Sequence, residues 1–128
     1  MPASASRFSV LVVDPFPDSL SMYGECLAGS GFEAITTGDA DTAWSQVPAA
    51  DIVVTGIRMS GSFDGVELVR RVRHEFPTKP VIVLTACVTH THRERAEAAG
   101  CDVFLPKPCE PDTLIAEIRR LLVGNTTH

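Results

Sequence analysis

Five short runs of apolar, largely β-branched residues set the limits on how this chain folds: Phe8 to Val13 (FSVLVV), Ala34 to Thr36, Ile52 to Thr55, Val81 to Leu84 and Val103 to Leu105. The runs are continuous rather than alternating in polarity. That pattern marks strands buried on both faces, the condition of a parallel sheet covered by helices.

The segments between the runs carry helical spacing. Leu20, Tyr23 and Leu27 recur at i, i+3, i+7, and Leu68, Val72 and Phe76 at i, i+4, i+8. Asp64-Gly65-Val66-Glu67 has the form of a capping box, with Asp64 accepting from backbone N–H groups and Glu67 reaching back; the helix it opens ends near Phe76-Pro77. Arg93 to Ala99 is a helix-forming run stopped by Gly100, and Pro111 suits the first position of a last helix presenting Leu114, Ile118, Leu121 and Leu122. A short second helix is expected over Asp41 to Gln46. Strand and helix alternate throughout, so the fold class is α/β, a doubly wound parallel sheet with right-handed crossovers. At 128 residues, 45% of them hydrophobic, there is material for one core and one domain. Its expected limits are 7–123, with 1–6 and 124–128 as loose ends.

Charge and composition exclude several functions. A net charge of -5 argues against a sequence-independent grip on nucleic acid or anionic lipid. No apolar stretch approaches the roughly 20 residues needed to cross a bilayer, and Met1 to Arg7 lacks the apolar core of a signal peptide, so a cytoplasmic location is expected. Cys26, Cys87, Cys101 and Cys109 contain no CxxC pair and sit in or beside apolar segments, as reduced thiols do.

Open parallel sheets bind ligands outside the carboxyl ends of their strands. The residues there are Asp14-Pro15 after the first run, Gly56-Ile57-Arg58 after the third, Thr85-Ala86 after the fourth and Pro106-Lys107-Pro108 after the fifth. The strings VLVVDPFPDS, DIVVTGIRMSGSFDG, VIVLTA and FLPKP, in that order across nearly the whole chain, resemble the signature segments of the response-regulator receiver (CheY-like) family. The pairing of Thr85 with Lys107-Pro108 22 residues later is the most specific part of the likeness. The resemblance implies a flavodoxin-like (βα)5 fold with strand order 2-1-3-4-5. It also implies a chemistry: an Asp ending the third strand takes a phosphoryl group from a histidine kinase, and an acidic pair after the first strand helps hold Mg²⁺. A Thr or Ser and a Lys bind the phosphoryl oxygens, and an aromatic residue on the fifth strand acts as a switch.

Laid on this chain, the resemblance gives Asp14 as the first acid of the pair, with Pro15 in place of the second. Gly56 falls at the phosphoacceptor position. Thr85 and Lys107 stand at the hydroxyl and lysine positions, Phe104 at the switch, and Pro108 at a proline whose preceding peptide bond is usually cis in the family. The loop from Arg58 to Gly65 is one residue longer than usual, with Ser60 where the family often has Pro. Asp14 and the Arg58 carbonyl are a thin ligand set, so no cofactor is expected and Mg²⁺ binding should be weak or absent. Lys107 then needs another counter-charge, and Asp14 is the candidate.

Other carboxylates do not replace the missing one. Asp51 precedes its strand and lies on the order of 13 Å from the carboxyl edge; Asp64 suits a helix cap, Asp39 and Asp41 belong to a turn, and Thr55 points into the sheet. Several residues admit two readings. Gly56 either answers a backbone need for φ > 0 or close approach, or frees the domain from phosphorylation. Lys107 is either a pocket group or a solvated lysine, and Phe104 either switch or core. Cys87, His90, His92 and Cys109 are candidate zinc ligands or redox thiols, or else solvated loop residues.

The expected function is non-enzymatic: a receiver-like signalling domain of a two-component or phosphorelay system that acts through protein contacts, on the face of the fourth helix, fifth strand and fifth helix. Its expected partners are a histidine kinase, a phosphotransfer protein or a separate output protein, or a second copy in a homodimer; a segment of a longer chain is also compatible. The alternatives are a working receiver with an atypical acceptor, and a flavodoxin-like binder of a small anion or nucleotide at Thr85 and Lys107. No glycine-rich phosphate loop follows the first strand, which disfavours the last.

Overall fold

The apolar runs form the middle layer of three. A computed structural model describes residues 7–126 and places the strands β1 (Ser9–Val13), β2 (Glu33–Thr37), β3 (Ile52–Thr55), β4 (Val81–Thr85) and β5 (Val103–Pro106) in one sheet. Every pairing is parallel, and the order is β2-β1-β3-β4-β5. The helices are α1 (Pro17–Gly29), α2 (Ala40–Gln46, continued by a 3-10 turn over Val47–Ala49), α3 (Gly65–Glu75), α4 (His90–Ala99) and α5 (Pro111–Thr126). The flavodoxin-like fold expected from the resemblance is the one observed.

Alternation along each strand divides the core in two. Leu11 and Val13 of β1 join Val53 and Val83 beneath α2, α3 and α4, while Val10 and Val12 join Ile52, Val54, Ile82 and Leu84 beneath α1 and α5. The three central strands β1, β3 and β4 are buried at every position because both faces are covered, whereas the edge strands β2 and β5 are partly exposed. Each fully buried Leu or Ile among them contributes roughly 1.5–3 kcal/mol relative to exposure. The periodic positions behave as read: Tyr23 and Leu27 of α1, Val72 of α3, and Leu114, Ile118 and Leu122 of α5 are all buried.

Three local expectations change. The capping box is half formed: Asp64 Oδ1 accepts from the Glu67 N–H at 2.9 Å, but the Glu67 carboxylate turns to Arg70 and Arg71 instead of reaching back. The fourth helix starts at His90 rather than Arg93, because the Thr89 hydroxyl caps it by accepting from the His92 N–H. The last helix runs to Thr126, past the expected limit at 123; the expectations for 1–6 and 127–128 lie outside the described residues. Gly100 closes α4 at φ 110°, in the left-handed region that glycine occupies without strain.

The amino edge of the sheet is cross-tied. Arg73 donates to the carbonyls of Gly100, Pro77 and Lys79 and to the Asp102 carboxylate, whose Oδ2 also accepts from the Val81 N–H. Lys79 donates to the carbonyls of Val47 and Ala50, and Asp51 Oδ2 accepts from the Ser9 N–H. Asp51 therefore stands at the edge away from the strand carboxyl ends, as its sequence position requires.

Candidate functional site

From β1 the sheet extends one way to β2 and the other way to β3, so the loops leaving β1 and β3 part over the strand ends and leave a crevice. A cleft of about 440 Å³ lies there, with Asp14, Gly56, Thr85 and Lys107 in its wall.

Asp14 is 3% exposed and fully engaged. Its Oδ1 accepts from the Phe16 N–H at 2.9 Å, an Asx turn that aims the chain into α1, and its Oδ2 forms an ion pair and hydrogen bond with Lys107 Nζ. Lys107 also donates to Ser19 Oγ at 3.3 Å, and its ammonium lies 5.5 Å from the centroid of the Phe16 ring. The counter-charge expected for Lys107 is thus the one it has. The lysine is held from behind by its backbone N–H, which donates to the Thr85 carbonyl at 2.9 Å. The peptide bond before Pro108 is cis, as the resemblance implied, and the Tyr23 hydroxyl donates to the Cys109 carbonyl at 2.8 Å, fixing the β5–α5 loop to α1. Burial, with Cys109 and Asp14 adding to it, holds the Tyr23 phenol above its ordinary pKa.

The Thr85 hydroxyl accepts from the Cys87 N–H at 3.0 Å. Phe104 is buried in the layer beneath α4, with the Arg93 guanidinium 5.2 Å from its ring centroid.

Gly56 does not have the backbone geometry one of its two readings required. Among the described residues the glycines at positive φ are Gly31, Gly61 and Gly100. A Cβ on Gly56 would meet the Leu84 carbonyl oxygen at 3.6 Å and the Arg58 carbonyl oxygen and Pro15 Cδ at 3.9 Å, ordinary contacts. Neither strain nor crowding demands glycine there. Crowding does demand it at Gly65, where a Cβ would stand 1.7 Å from the Gly56 carbonyl oxygen; the Gly65 N–H donates to the Ile57 carbonyl at 2.7 Å, seating α3 against the end of β3.

The long β3–α3 loop is pinned. Ser60 bridges to Asp39, its carbonyl accepts from the Ala40 N–H at 2.8 Å, and Asp41 Oδ2 accepts from the N–H and hydroxyl of Ser62. Asp39 caps α2 through the Thr42 N–H, and the buried Thr55 hydroxyl donates to the Gly56 carbonyl. Cys87, His90, His92 and Cys109 do not form a cluster. Cys87 and His92 line the cleft, His90 faces Glu94 on an exposed turn of α4, and the Cys109 thiol donates to the Glu110 carbonyl. No group of three His, Cys, Asp or Glu able to hold a metal ion exists among the described residues.

Sequence reasoning missed Ser19, the second partner of Lys107, and the rim formed by Phe16 and Val88. A polar residue in the first turn of α1 was the available signal for Ser19. Nothing local distinguishes Phe16 or Val88 from core residues.

The chain is similar over residues 10–119 to the family described as the response regulator receiver domain. It is 30% identical over 123 residues to the DNA-binding transcriptional regulator NtrC of Azospirillum brasilense, covering 94% of this chain and 25% of that protein. It is 34% identical over 125 residues to the response regulator Rre1 of Synechocystis, covering 92% of this chain and 53% of that one. The chain thus spans a quarter to about half the length of these relatives. Among solved structures it resembles a CheY-like receiver domain protein from Methanospirillum hungatei (TM-score 0.88, 20% identity, 94% of this chain and 97% of that one). It also resembles the chemotaxis protein CheY4 of Vibrio cholerae (TM-score 0.82, 25% identity, 91% and 99%).

Proposed function

The chain belongs to the response regulator receiver family, and from that premise we propose that it is a receiver that does not take a phosphoryl group in the usual way and signals through protein contacts. The observation that carries this reading is the Asp14–Lys107 pair beside a glycine. In a receiver the lysine serves the phosphoryl group on the strand-β3 carboxylate; here Gly56 offers no nucleophile, and Lys107 is already neutralised by Asp14.

The donor set also argues against Mg²⁺. Among the described residues Asp14 is the one carboxylate in the cleft wall, both its oxygens are engaged, and Pro15 adds none. A hard cation that needs several oxygens would have to break the ion pair and then find most of its ligands in water.

Among the described residues no carboxylate outside the cleft wall is placed to substitute for the acceptor. Asp51 is tied to Ser9 at the opposite edge, and Asp64 caps α3 and pairs with Arg95 at 3.4 Å. The domain's action then falls to its surface and its partners are proteins of two-component systems, a kinase, a phosphotransfer protein or an output protein. No helix of the described residues is long and apolar enough to cross a membrane.

Intact-mass spectrometry after incubation with a small phosphoryl donor and Mg²⁺ tests the reading. The parent should gain no phosphoryl mass, while the Gly56→Asp, Pro15→Asp double variant gains one; a Cβ at Gly56 meets only ordinary contacts. Phosphorylation of the parent overturns it.

A further inference from the structure

Replacing two acids by proline and glycine alters what the cleft can hold as well as what it can react with. Pro15, Ile57, Leu84 and Ala86 make its wall largely apolar, and Gly56 leaves open the space a side chain would fill. At the mouth stand Phe16 and Val88, 60% and 51% exposed, large apolar groups left in water where only the loops hold them. We infer that this cleft binds a small, neutral, predominantly aromatic or aliphatic molecule carrying one oxygen acceptor.

The polar groups of the site select that chemistry. Lys107 has three N–H donors, of which Asp14 and Ser19 take up two, leaving one. The Thr85 hydroxyl accepts from the Cys87 N–H and keeps its own proton to donate. The Lys107 and Thr85 side chains therefore present donors, and a ligand that engages them must bring an acceptor. In the recess the Lys107 charge is already offset by Asp14, and the other cation lining the cleft, Arg58, is exposed to solvent, so a free anion desolvated there meets the Asp14 carboxylate and a free cation meets the lysine, either at a cost. A carbonyl or hydroxyl on an apolar frame satisfies the donors without that cost. The cleft volume, about 440 Å³, lies within the range that encloses small organic ligands. This site goes beyond the signalling reading and does not rest on it, because its occupancy needs neither phosphorylation nor a protein partner.

Two-dimensional ¹H–¹⁵N NMR of the full chain, titrated with acetophenone and in parallel with benzoate and inorganic phosphate, tests the inference. Acetophenone should saturably shift the amides of Gly56, Thr85, Ala86 and Lys107, with benzoate and phosphate about tenfold weaker or worse. Gly56→Leu fills the recess and should weaken acetophenone by about tenfold, with the β2 amides reporting that the fold persists. If that variant does not fold, Val88→Glu, which puts a charge at the exposed mouth, must show the loss instead. Absence of saturation, preference for benzoate or phosphate, or insensitivity to both variants overturns the inference. Shifts confined to Phe16 and Val88 overturn it too, identifying the rim as a protein-docking patch. The phosphoryl-mass experiment reads a different quantity, so either reading can fail without the other.

Discussion

Asp14 and Lys107 show how a residue's worth depends on its partner. With Asp14 buried, removing only the lysine strands a carboxylate, whereas neutralising both leaves two matched uncharged groups. Lys107→Met should therefore cost about 3 kcal/mol in urea unfolding. The Asp14→Asn, Lys107→Met double variant, in which Asn still accepts from the Phe16 N–H, should recover at least about half of that. A double variant no more stable than the single one would mean that the charge pair is not what Lys107 supplies. This pair was legible from the sequence because a lysine framed by prolines at a strand end has few counter-charges within reach. Ser19 was not, since a serine in a helix's first turn reads as a solvated or capping group until the neighbouring loop is in place. The place of Gly56 at the carboxyl end of β3 was legible, but its backbone was not: glycine permits any φ, and Gly56 is not among the positive-φ glycines.

Among the elements, α3 and α4 are held in opposite ways. The first turn of α3 touches the end of β3 so closely that no side chain fits at Gly65, while a Cβ on the facing Gly56 would make only ordinary contacts. Gly65→Ala should destabilise the domain by about 3 kcal/mol or more, although alanine is the better helix former, and Gly56→Ala by less than about 1 kcal/mol. Equal midpoints in chemical denaturation would refute that contrast. Helix α4 buries only Ala96 and Ala99 among its residues and depends on its ends, the Thr89 cap and the Gly100 turn. Its amides should exchange with solvent faster than those of α3, which buries Gly65, Val66, Leu68, Val69 and Val72, and Thr89→Ala should cost about 1 kcal/mol and widen the difference. Comparable hydrogen exchange in the two helices would contradict this. The polarity of α4 also explains why its start was placed late: His90, Thr91 and His92 carry no apolar period, so the cap at Thr89 was the available signal and it rests on a single hydroxyl. The central strands β1, β3 and β4 needed no such cue, because a run buried on both faces shows in its own composition.

For the molecule as a whole, burial leaves a signature at alkaline pH. It pushes the Cys101 thiol up to about 11 from an ordinary 9.0, and holds the Cys109 thiol and the Tyr23 phenol above their usual values as well. These groups keep their protons in the fold at pH values where the unfolded chain releases them, so the native state binds more protons and stability falls as pH rises from about 9 toward 11. Lys79, lowered by burial, works in the opposite sense, one group against three. Urea midpoints should therefore decline above about pH 9, and alkylation of Cys101 in the native protein should lag behind that of the denatured chain. A flat profile over that range would refute the account. The global fold was readable because three buried strands, two flanking ones and their intervening helices repeat one simple pattern; the contents of the cleft were less so, because they come from four separate loops. Those loops all leave one edge of the sheet, while Arg73, Lys79, Asp102 and Asp51 rivet the other. The domain is therefore built like a clamp with a welded heel and one compliant jaw: the β3–α3 and β5–α5 loops are tied down, so the work done by anything entering the cleft falls on α4, which buries just two alanines.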